Sequence, residues 1–109
     1  MGFVMVAKVS DVPSGKMKSV KVNGKDVLIV NVDGKYYAIG GKCTHRGGDL
    51  SKGALSGKII TCPKHKAMFE VTTGKVISGP KIPLSRPKIN DEPSYKVKVE
   101  GDEILVSET

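Results

Sequence analysis

The residues able to do chemistry sit in two short stretches, Cys43-Thr44-His45 and Cys62-Pro63-Lys64-His65. Between them they hold both cysteines and both histidines of the chain. Each stretch offers one thiolate and one imidazole, and 16 residues separate His45 from Cys62. A single disulfide, or two buried thiols with two surface histidines, would leave the C-x-H and C-x-x-H pairings to coincidence. A metal centre explains them, with Cys43, His45, Cys62 and His65 as its ligands. Two chemistries fit. Zinc accepts Cys₂His₂ sets, but the usual zinc-finger order is two cysteines followed by two histidines. Here the order is Cys-His, then Cys-His. A [2Fe–2S] cluster with mixed ligation gives that order a reason, because each loop hands one ligand to each iron.

The surroundings of the ligands read CTHRGGDL and CPKHKAMFEVTTGKVISGP. They resemble the loops of the Rieske family, C-T-H-x-G…L and C-P-x-H-x-x-x-F-x-x-x-x-G followed by a Gly-Pro segment. The match runs through Cys43, Thr44, His45, Gly47 or Gly48, Leu50, Cys62, Pro63, His65, Phe69, Gly74, Gly79 and Pro80. The chain looks closest to the small soluble Rieske-type ferredoxins, the archaeal ones in particular. The resemblance implies a [2Fe–2S] cluster, an inner iron on Cys43 and Cys62, and an outer iron on His45 and His65 near the surface. It further implies a cluster-binding subdomain over about 40–80, with Gly79-Pro80 opening a rigid lid on a third side.

The elements that must position these ligands read as strands. Alternating or β-branched runs cover 4–8, 18–22, 26–32, 35–39, 58–61, 67–71, 75–77, 95–100 and 103–107. Asn23-Gly24 and Asp33-Gly34 are two-residue hairpin turns, Thr73-Gly74 is a further turn, and the last hairpin turns at Gly101-Asp102. No helical period persists. The expected fold is all-β, an antiparallel sandwich or barrel of nine or ten short strands. Each ligand loop reads as the tip of a hairpin or meander, with Gly47-Gly48 bending the first. Four prolines, at 80, 83, 87 and 93, make 78–93 a stiff irregular loop. Its 85–92 stretch reads first as a surface loop and second as a partner-binding loop.

A chain of 109 residues with 39% hydrophobic content implies one globular domain, 1–109. No apolar run approaches a membrane span, and the start is a poor signal peptide. A cytoplasmic protein is expected, where thiols serve metals or redox chemistry rather than cross-links. The net charge of +7 is scattered, mostly as lysine, and aromatics make up only 5%. That pattern excludes a nucleic-acid stripe. It reads first as a solvated surface and second as steering toward a redox partner with an acidic docking face.

High-potential members of the family resemble C-T-H-x-x-C and C-P-C-H-G-S-x-Y. Gly48 and Lys64 stand at the two extra cysteine positions, so the disulfide joining the loops there is absent. Ala67 and Phe69 stand where Ser and Tyr donate hydrogen bonds to sulfur. Such bonds stabilise the reduced state, so their loss implies a potential near about −150 mV rather than about +300 mV. Lys66 replaces the usual glycine after the second histidine, which puts the local backbone in question. There is no phosphate loop, no GxGxxG and no Ser-His-Asp set. The expected role is therefore a one-electron carrier and not an enzyme, with His45 and His65 as the electron exit. The ferredoxin component of an oxygenase or nitrite reductase system, and a zinc-stabilised interaction domain, are the alternatives.

Overall fold

Turn residues and β-branched runs set the course of the chain. The computed structural model describes residues 2–44, 47–64, 66–79 and 89–108. Three antiparallel sheets run through them. The first has the order β1-β11-β10, from Phe3–Lys8, Glu103–Ser107 and Val97–Glu100. The second has the order β2-β3-β4-β9, from Met17–Val22, Lys25–Val32, Lys35–Gly40 and Ser94–Tyr95. The third is a meander, β5-β6-β7-β8, from Ala54–Ser56, Ile59–Thr61, Met68–Glu70 and Val76–Ser78. Two 3₁₀ turns, Val9–Asp11 and Leu50–Lys52, complete the described elements. No helix among the described residues is long and apolar enough to cross a membrane.

The expected turns form as read. Asn23 and Gly24 have φ of 51° and 78°, and Asp33 and Gly34 have 51° and 90°. Positive φ at both central residues is the two-residue geometry that matches strand twist. These turns fix the registers Val22↔Lys25 and Val32↔Lys35.

The run Val27-Leu28-Ile29-Val30 has no polar member, and β3 is buried on both faces. Its alternation divides the molecule. Val27 and Ile29 pack with Val22, Ala38, Ile104 and Val106 between the first two sheets. Leu28 and Val30 pack with Ile39 of β4, with Leu50 of the second 3₁₀ turn, and with Ile60, Phe69 and Val71 in and beside the third sheet. Both cysteines belong to this second core.

Three details differ from the sequence reading. Ala54–Ser56 is a strand that three ordinary residues do not announce; it exists because Leu55 pairs with Ile60. The run 95–100 is two strands, since Tyr95 pairs with Ala38 in one sheet and Val97 with Val106 in another. The first ligand loop is not a hairpin tip. It joins β4 to β5, which lie in different sheets, and a single isolated bridge, Lys42↔Asp49, closes its base. The second loop is the tip of the β6–β7 hairpin, as expected.

Candidate metal centre

The two cysteine loops follow one plan. Each is six residues long, 43–48 and 62–67, and each is closed by an antiparallel pair just outside it, Lys42↔Asp49 and Thr61↔Met68. The Cys43 N–H donates to the Gly48 carbonyl at 2.7 Å, and the Cys62 N–H donates to the Ala67 carbonyl at 2.7 Å. The Cys43 carbonyl accepts from the Gly47 N–H at 2.8 Å, and the Cys62 carbonyl accepts from the Lys66 N–H at 3.1 Å. The fifth residue is left-handed in both: φ is 69° at Gly47 and 66° at Lys66. The expected local distortion at Lys66 does not occur. The loop keeps its geometry and forces a lysine into a conformation that costs an L-residue about 1–2 kcal/mol.

Both cysteines are buried, Cys43 at 4% exposure and Cys62 at 2%, and no disulfide joins them. The loops face each other across Gly48, where a Cβ would stand 2.9 Å from the Cys62 Sγ and 3.3 Å from the Lys64 Cγ. The pair expected at Gly48 and Lys64 is thus in contact, without the chemistry to cross-link. Ala67 and Phe69 are fully buried, and neither side chain can donate a hydrogen bond. His45 and His65 lie outside the described residues, as does the 80–88 part of the expected lid. Two unlinked thiols in paired loops, walled by apolar residues, fit an iron–sulfur cluster in donor chemistry and in enclosure.

The first loop has a further support that pattern reading missed. Glu92, at 4% exposure, is the buried acidic residue of the described chain. Its Oε2 accepts the Thr44 N–H at 2.9 Å. Burial pushes its carboxyl up to about 7, against the opposing pull of that N–H. Burial, and then the Glu92 charge, raises the nearby Tyr95. At the base of the loop, the Ser51 hydroxyl donates to Asp49 Oδ1 at 2.6 Å and holds that carboxyl below its usual range. The segment read as a surface loop is exposed at Asn90 and Asp91 and buried at Glu92; the Thr44 hydroxyl donates to the Asn90 carbonyl at 2.5 Å, and the Val76 N–H to Asp91 Oδ1 at 2.9 Å. No sequence signal marks Glu92, an acid between Asp91 and Pro93 in a polar, proline-rich stretch.

Comparison with known proteins gives one consistent answer. A family model, the Rieske [2Fe-2S] domain, matches residues 2–88. The chain is 36% identical over 104 residues to the ferredoxin component of the naphthalene 1,2-dioxygenase/salicylate 5-hydroxylase systems of a Ralstonia species, covering 95% of this chain and 93% of that one. It superposes on the ferredoxin of carbazole 1,9a-dioxygenase from Nocardioides aromaticivorans IC177 with a TM-score of 0.83, at 29% identity and 98% coverage of both chains. It also superposes on a chain from the complex of reduced oxygenase and oxidized ferredoxin in carbazole 1,9a-dioxygenase, with a TM-score of 0.82, at 29% identity, covering 97% of this chain and 93% of that one. These relatives give no support to the archaeal emphasis of the sequence reading.

Proposed function

This chain belongs to the Rieske [2Fe–2S] domain family, and on that premise we propose that Cys43, His45, Cys62 and His65 hold its cluster and that the protein serves an oxygenase system as its ferredoxin component. It is an electron carrier. The observation that carries the ligand assignment is the pair of matching six-residue loops with a buried cysteine at the head of each. The cluster, when bound, takes up and returns one electron.

The chain's own residues set the conditions for that exchange. Leu50, Ile60, Ala67 and Phe69 form a dry wall around both cysteines. The side chains of Ala67 and Phe69 cannot donate to sulfur, which favours a potential toward the lower end of the family's range. The left-handed Gly47 and Lys66 turn each loop back on itself, so that the strands brace both thiols. Little rearrangement then accompanies a change of charge.

The chain acts as a carrier and not as an enzyme, in the cytoplasm, as one domain with its cluster-binding subdomain over about 40–80. A reductase loads the electron and an oxygenase receives it. The net charge of +7 favours an acidic docking face on those partners. The relatives support this: the Ralstonia protein is a component of dioxygenase systems, and the carbazole 1,9a-dioxygenase ferredoxin forms a complex with its oxygenase.

The experiment is iron and acid-labile sulfide analysis, with EPR of the dithionite-reduced protein. Mixed Cys/His ligation predicts a red-brown protein and an average g-value below that of an all-cysteine cluster. Absence of both iron and sulfide after anaerobic reconstitution rejects the reading, and a colourless zinc protein replaces it. Stopped-flow oxidation of the reduced protein by an aromatic-ring oxygenase, slowing as salt rises, tests the partner assignment.

A further inference from the structure

The peptide that follows each cysteine is the chain's most direct handle on the direction of a thiolate. In the second loop that peptide is Cys62–Pro63. Its carbonyl accepts from the Lys66 N–H at 3.1 Å. Its nitrogen carries a ring in place of a hydrogen, which fixes φ and leaves no donor to satisfy. In the first loop the corresponding peptide is Cys43–Thr44. Its carbonyl accepts from the Gly47 N–H at 2.8 Å, but its nitrogen bears a hydrogen that the fold must satisfy. Glu92 Oε2 takes it at 2.9 Å.

Glu92 is seated for this contact from every side. Its own N–H donates to the Gly74 carbonyl at 2.7 Å. A Cβ on Gly74 would overlap the Glu92 carbonyl, and a Cβ on Gly40 would overlap its Oε1. The next residue, Pro93, accepts the Gly40 N–H at 2.9 Å. Burying a carboxyl is expensive, and its pKa near 7 reflects that cost. A chain that needed only to tether this strap already has the Thr44 hydroxyl to Asn90 and the Val76 N–H to Asp91.

We propose that Glu92 is a positioning residue: by accepting the Thr44 N–H it locks the Cys43–Thr44 peptide and aims the first ligand loop, the task Pro63 performs in the second. The inference rests on the assignment of Cys43 as a ligand. It adds a residue 48 positions from the Thr44 it holds.

Three variants of the full chain test it: Glu92→Gln, which keeps an acceptor oxygen; Glu92→Leu, which removes it; and Thr44→Pro combined with Glu92→Leu, which removes the donor as well. The readouts are the rate of cluster loss in air, the EPR g-values and the reduction potential. Glu92→Leu should lose its cluster at least tenfold faster than the parent and shift its g-values. Glu92→Gln should stay within threefold of the parent, with an unchanged spectrum. The double variant should recover most of the loss, including where Glu92→Leu alone does not fold. The proposal is overturned if Glu92→Leu matches the parent in all three readouts, if Glu92→Gln is as impaired as Glu92→Leu, or if the double variant does no better than the single one. A parent chain that loads no iron or sulfide would instead refute the ligand assignment itself, a separate result.

Discussion

Loops 43–48 and 62–67 share their closing hydrogen bonds and a left-handed fifth residue, and reach them with different materials. At the second position, the first loop has Thr44, whose N–H is held by Glu92 from another part of the chain; the second has Pro63, which is stiff by itself. At the fifth position, the first loop has Gly47 and the second Lys66, both left-handed. At the sixth, the first has Gly48 and the second Ala67. The first loop joins two sheets and is closed by one isolated bridge, whereas the second caps a hairpin. The difference teaches that one geometry can be specified locally, by proline within a hairpin, or remotely, by a buried carboxylate. The remotely built loop is the more conditional of the two.

The largest expected effect treats the loops alike. Cys43→Ser or Cys62→Ser should each abolish cluster retention, read as loss of iron, sulfide and visible colour. Retention in either variant would remove that cysteine from the ligand set.

The pH response should separate them. Glu92 titrates near 7 in the folded chain, against an ordinary value of 4.5. The folded chain therefore holds a proton that the unfolded chain has released between those values. The stability it contributes is full below pH 4.5 and declines as the pH rises toward 7, by about 2–3 kcal/mol. Urea midpoints at pH 5 and pH 8 should show this decline in the parent, and a smaller one in Glu92→Gln. Equal declines would place the titration elsewhere.

Gly48→Ala copies the second loop's sixth residue into the first. Its Cβ would stand 2.9 Å from the Cys62 sulfur, tighter than a packed interior tolerates, at a cost of about 1–3 kcal/mol. Faster cluster loss should follow, while Ala67→Gly, which adds no atom, should be milder. The smallest effect is at the fifth position. Lys66→Gly should stabilise by about 0.5–1 kcal/mol, because relief of the left-handed strain outweighs the entropy of glycine. Gly47→Lys should destabilise by a similar amount in thermal unfolding.

Legibility followed the same division. The cysteine positions, the Asn23-Gly24 and Asp33-Gly34 turns and the strand over 26–32 were readable, because each depends on neighbours in sequence; that this strand is buried on both faces was not read. The equivalence of the loops was not: the chain spells one C-x-H and the other C-x-x-H, and their likeness lies in backbone hydrogen bonds that no side chain spells out. The positive φ of Lys66 was hidden for the same reason. Glu92 was invisible because its role depends on the space left by Gly40 and Gly74, at distant positions in the chain. The separate sheets of β4 and β5 were likewise set by long-range pairing.

β3 gives the protein a party wall. Leu28 and Val30 press on the chamber that holds the thiols, while Val27 and Ile29 press on the one behind it. Neither room can be remodelled alone, since a change of volume on one side moves the same backbone on the other. Shelf life of the redox site should accordingly track substitutions in the far chamber, such as at Ile104 or Val106, which belong to that cluster and not to the one that holds the cysteines.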